Sequence, residues 1–177
     1  METVGPEPAR RHAAYHEAGH VIADLVFGFR FTSVTIRPGE AGEYEGGVYG
    51  MARGRARDLA VVELAGIVAS ARMDGYDPWQ EPPRYDDDSA DIASAGDFVD
   101  NWAAFLEKTY GEPAVRDQLW SEAEEETRAL VDRHWDEIGA IAGSLLDRET
   151  LPYHEVIAIL KDRCPAFEPG GRSDSGR

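Results

Sequence analysis

Residues 13–27, AAYHEAGHVIADLVF, decide how the rest of the chain is read. Within them His16, Glu17 and His20 spell H-E-x-x-H, a spacing with a mechanism behind it. On a helix, residues four apart leave the same face one turn from each other, so both imidazoles can reach one ion. Glu17 lies about 100° round that helix, where a general base can address the attacking water without ligating the metal. Ala14, Ala18, Val21, Ile22, Leu25 and Val26 recur near the 3.6-residue period and give the helix a buried side. The spacing therefore predicts a zinc site that hydrolyses peptide bonds. A solvated His/Glu pair is the competing reading; ordinary residue usage produces the motif by chance on the order of once in a few hundred chains of this length.

Composition narrows the partners. The 177 residues carry 18 Lys and Arg against 34 Asp and Glu, a formal charge of -16, which repels phosphate backbones and anionic lipid. Nucleic acid and direct membrane insertion are not expected as partners. Cys164 is the single cysteine, so neither an internal disulfide nor a multi-cysteine zinc knuckle can form. The N-terminus has no secretory apolar core, and the run from Val21 to Phe27 is interrupted by Asp24 and far too short to span a bilayer. The expectation is a cytoplasmic protein with one domain over residues 1–164, after a loose lead at 1–7, and a disordered tail at 165–177.

Outward from the motif, Pro8 suits a first helical turn and Gly28 a stop, which predicts a helix from about 8 to 27. His12 and Asp24 fall on the His16/His20 face one turn before and after; both are read as helix-surface residues, with support of a ligating imidazole as the alternative. Residues 31–36, FTSVTI, alternate and are β-branched, a strand; 37–47 form a glycine-rich turn, and 48–52 return as a second strand. The unpaired edge of such a hairpin can hold an extended peptide. Residues 56–73 predict a buried helix in which Glu63 needs a partner: a salt bridge, an exposed position or a place at the metal.

Acids, prolines and aromatics in 74–88 predict a loop, a candidate lid. Ser89 can cap a helix running to about Tyr110. A further helical segment covers about 113–134, with possible continuation to 146, then a turn at 147–152 and a last helix at 153–163. His134, His154 and Glu155 are read as surface residues, and Cys164 as a spare thiol. The fold expected is mainly α with a small β-hairpin.

Two histidines leave a third protein position to fill on a catalytic zinc. No histidine follows at the H-x-x-G-x-x-H spacing, and Glu63 is the best-placed glutamate. At this point AAYHEAGHVIADL resembles the peptidase domain of the FtsH-type ATP-dependent zinc proteases, peptidase family M41. SVTIRPG (33–39) is similar to that family's strand after the motif helix, DLAVVELAGIVAS (58–70) to its second helix, and DDDSADIASAGDFV (86–99) to the segment in which an aspartate binds zinc. ALVDRHWDEIGAIAGSLLDRETL (129–151) resembles its closing helical hairpin. The resemblance implies a zincin-like helical fold and makes Asp91 the third ligand beside His16 and His20, with Glu17 as base. Two departures stand out: Gly66, Ile67, Val68, Ala69 and Ser70 replace a Gly-Arg-Ala-Ala-Glu stretch, and no G-x-x-x-x-G-K-[ST] is present for ATP.

The function expected is that of a stand-alone zinc endopeptidase acting on short, extended or unfolded polypeptide segments. The alternatives are a non-catalytic, zinc-containing peptide-binding or adaptor module, and a peptidase subunit driven by a separately encoded ATPase partner. A homo-oligomer is a further possible assembly.

Overall fold

The computed structural model describes residues 6–39, 44–50, 54–81, 86–111 and 113–170. In chain order these form α1 (Pro6–Val26), β1 (Ser33–Pro38), β2 (Tyr44–Tyr49), α2 (Ala56–Asp74), α3 (Asp86–Tyr110), α4 (Arg116–Arg133), α5 (Trp135–Arg148), β3 (Thr150–Pro152) and α6 (Tyr153–Arg163). The architecture is mainly helical with one small antiparallel sheet, as the periodicity predicts.

Helix α1 occupies the centre because it is apolar on more than one side. Ala14, Ala18, Val21, Ile22 and Leu25 are fully buried, and the helix touches α2, α5, β1 and β2. Against α2 the approach is close: a Cβ on Gly19 would strike the Ala65 carbonyl and crowd Ala69. Small residues on both helices thus set the distance between them. Helix α2 buries Val61, Leu64, Ile67 and Val68 and stops at Gly75, whose left-handed φ of 75° lets its N–H turn back onto the last carbonyls.

The sheet has the order β2-β1-β3, both pairs antiparallel, with Ser33 opposite Tyr49 and Pro38 opposite Tyr44 on one side and Val34 opposite Leu151 on the other. The expected hairpin is therefore a three-stranded sheet. Residues 150–152, predicted as turn, add to β1 because Glu149 takes a left-handed φ of 61° and redirects the chain. Its carbonyl accepts the Ile36 N–H at 2.8 Å. Strand β2 begins at Tyr44, four residues before the predicted start: Gly46 and Gly47, which suggest a turn by composition, pair with Ile36 and Thr35.

Other boundaries shift for identifiable reasons. Helix α3 starts at Asp86, so residues 86–88 of the predicted loop are helical and Ser89 does not cap. His134, with φ −111° and ψ 27°, separates α4 from α5. Residues 165–170, predicted as disordered tail, return to the core: Phe167 meets the His134 ring edge-on with centroids 5.5 Å apart, and the Gly170 N–H donates to the Leu25 carbonyl at 2.7 Å. Residues 1–5 of the lead, 40–43 of the turn, 51–52 of the second strand, 82–85 of the candidate lid and 171–177 of the tail lie outside the described residues. Among the described residues no helix is long and apolar enough to cross a membrane.

Candidate metal centre

Helix α1 carries His12, His16 and His20 at successive four-residue steps, so the three imidazoles line one face. The first turns of α3 bring two carboxylates to that face, Asp88 and Asp91, three residues apart and likewise on one side. Helix α2 adds the Val62 carbonyl at His20 and the Asp74 carboxylate at His12. None of these contacts is local: Asp91 reaches His20 across 71 residues of chain.

At the upper end three donor atoms converge. Asp91 Oδ2 is 2.8 Å from His16 Nε2 and 3.0 Å from His20 Nε2, and the two nitrogens are 3.0 Å apart. Donors about 2.0–2.1 Å from a tetrahedral zinc are separated by about 3.3 Å, so the triangle is slightly tighter than a zinc site and of the right shape. The tautomer of neutral His20 also fits, because its Nδ1 lies 2.8 Å from the Val62 carbonyl and must donate there, which leaves Nε2 as the lone-pair nitrogen once the ring gives up its second proton to a metal. Two imidazoles and one carboxylate are the donor set of a catalytic zinc with one position open. The residues present fit the ion.

Glycines make the room. A Cβ on Gly66 would collide with Nε2 of His20, and one on Gly46 with the Glu17 carboxylate. Glu17, 4% exposed, accordingly sits beside His16 and against β2, the strand at the sheet's edge.

The charges follow from the contacts. Burial alone would push the His20 imidazole down, but the bond to Asp91 and its charge raise it to about 9. His16 is also raised, burial again opposing and Asp88 and Asp91 prevailing. Asp88 and Asp91 are disfavoured as anions by burial, yet the facing imidazoles hold both far below the ordinary carboxylate range. Without an ion the group is a ladder of alternating imidazole and carboxylate, with the imidazolium form of His20 favoured opposite Asp91 and room for one hydrogen between His16 Nε2 and His20 Nε2 at 3.0 Å.

His12 and Asp24, expected at the surface, are buried. His12 Nδ1 lies 2.8 Å from Asp74 Oδ2, and its Nε2 lies 3.6 Å from Asp88 Oδ1. Asp24 Oδ1 makes no hydrogen bond among the described residues, and burial, offset in part by His20 and reinforced by Glu63, pushes this carboxyl up to about 6. Glu63 is half-buried; burial raises its pKa while His20 opposes, and Asp91 adds to the rise. It joins no group of three donor atoms among the described residues, whereas Asp91 does. His154 is exposed, and His134 is half-buried between α4 and α5.

Asp88 and Asp74 belong to the site although the sequence did not single them out for it, and His12 takes the supporting place that stood there as the alternative to a surface position. The signal was present for His12 and Asp88: the H-x3-H-x3-H repeat of α1 and the D-x2-D pair opening α3. Comparison with protein-family models gives no match, and comparison with curated proteins gives none that is significant.

Proposed function

We propose that the chain is a zinc-dependent endopeptidase of the FtsH-like, M41 kind. The observation that carries this is the convergence of His16, His20 and Asp91 to mutual distances of 2.8–3.0 Å with Glu17 beside them. His16, His20 and Asp91 would hold Zn²⁺. Bound there, zinc supplies Lewis-acid polarisation of the scissile carbonyl and lowers the pKa of water toward neutrality. Glu17 takes the proton of the attacking water and delivers it to the leaving amine, its carboxylate kept in place by α1 and by the close passage of Gly46. The outer edge of β2 offers backbone donors and acceptors to an extended polypeptide, so the substrate binds as an added strand. Short, extended or unfolded segments satisfy that requirement.

The test is zinc stoichiometry together with cleavage of an unfolded-protein panel. Glu17→Gln is expected to keep one zinc and lose at least about a hundredfold in turnover, the scale of general-base catalysis; undiminished turnover in that variant would sink the mechanism. Asp91→Ala is expected to lose zinc and Glu63→Ala to keep it, and the reverse pattern would move the third ligand to Glu63.

A further inference from the structure

The two histidines of the centre are supported differently. His20 rests its Nδ1 on a neutral backbone carbonyl, that of Val62, at 2.8 Å. His16 turns its Nδ1 toward a carboxylate instead, with Asp88 Oδ1 3.3 Å away. Asp88 is 1% exposed, so its charge has been taken out of water and depends on what faces it. Among the described residues three groups do: His16, His12 through Nε2 at 3.6 Å, and Tyr76, whose hydroxyl donates to Oδ2 at 3.4 Å. His12 is in turn held by Asp74, the last residue of α2, at 2.8 Å. The order Asp74, His12, Asp88, His16, Asp91, His20 therefore alternates carboxylate and imidazole along about two turns of α1.

We propose that Asp88 is the positioning residue for His16, fixing its ring and tautomer so that Nε2 faces the ion, with His12 and Asp74 as the brace that keeps Asp88 in place. The proposal rests on the metal centre described above. A ligating imidazole whose second nitrogen meets a carboxylate is held in one orientation and made more basic, and loss of such a partner typically weakens metal binding by 10–100-fold. The asymmetry with His20 has a consequence. His16 carries the charged contact, Nδ1 to Asp88 Oδ1 at 3.3 Å, so the centre depends on Asp88 more than a neutral support would require. Asp88 is not one of the three converging donors His16, His20 and Asp91, and acts through His16.

The experiment uses the full chain and zinc alone, titrated in competition with a chromophoric chelator, with metal-free melting and the visible spectrum of the cobalt-substituted protein as companion readouts. Asp88→Ala is expected to bind one zinc with about 10–100-fold lower affinity. Asp88→Asn, which keeps the shape and removes the charge, is expected to lose about tenfold and to fold even if the alanine variant does not. Both should shift the cobalt bands. Zinc affinity and cobalt spectrum unchanged in folded Asp88→Asn would overturn the proposal and leave the metal centre standing, with Asp88 merely structural. Two zinc equivalents in the wild type, the second lost in His12→Ala, would make His12 and Asp88 ligands of a separate cation and also overturn it. Absence of zinc binding by the wild type would remove the centre itself and the proposal with it.

Discussion

Gly66 and Gly46 determine where His20 and Glu17 can stand, since a methyl group on either would occupy the space of the functional side chain. Alanine is favoured over glycine in a helix by about 1 kcal/mol, so Gly66→Ala gains in α2 what it loses by displacing an imidazole. Its folding stability should stay within about 1 kcal/mol of wild type while zinc affinity falls at least tenfold, measured by chemical denaturation beside chelator competition; full zinc affinity would show that the ring can yield. The same residue scale explains what the sequence could and could not tell. His16, Glu17 and His20 are adjacent in the chain and their spacing alone aligns them. Asp91 stood among four acids in six residues, and only a resemblance separated it from Asp88. The burial of His12 and Asp24 was illegible because both lie on a face whose cover comes from α2 and α3, distant in the chain.

At the scale of elements, the long helices were legible because their apolar period persists over many turns, and the short pieces were not. Strand β3 has three residues and no pattern of its own; β1 and the turn at Glu149 create it. Glu149 ends α5 with φ 61°, a conformation that costs a residue with a Cβ roughly 1–2 kcal/mol. Glu149→Gly removes that strain at some entropic cost and should stabilise the fold by about 0.5–1 kcal/mol, seen as a higher denaturation midpoint with an unchanged slope. A lower midpoint would mean that the Glu149 side chain contributes more than its backbone costs. Strand β2 shows the opposite failure: two glycines disguised it, although one of them is where Glu17 passes.

For the whole molecule, the imidazole–carboxylate ladder links stability, pH and zinc. An unfolded histidine loses its proton near 6.5, whereas His20 retains it to about 9 in the metal-free fold. Stability from this group is thus fully present below 6.5 and is lost as pH rises through 9. Bound zinc would displace these protons, so above 6.5 the bound fold and the unfolded chain would carry equally neutral imidazoles. The metal-free melting temperature should fall between pH 6.5 and 9, and saturating zinc should flatten that slope, as scanning calorimetry would record; a level metal-free profile would mean that the ladder is uncharged. Asp91 meets His20 across 71 residues, and that separation sets an order of events during folding. The α1 histidines are available as soon as the helix forms, but closing so long a segment is an entropic expense that the packing of α1, α2 and α3 must meet first. An ion bound at His16, His20 and Asp91 would consequently be a late fastener, clasping two helices already brought together rather than nucleating their encounter.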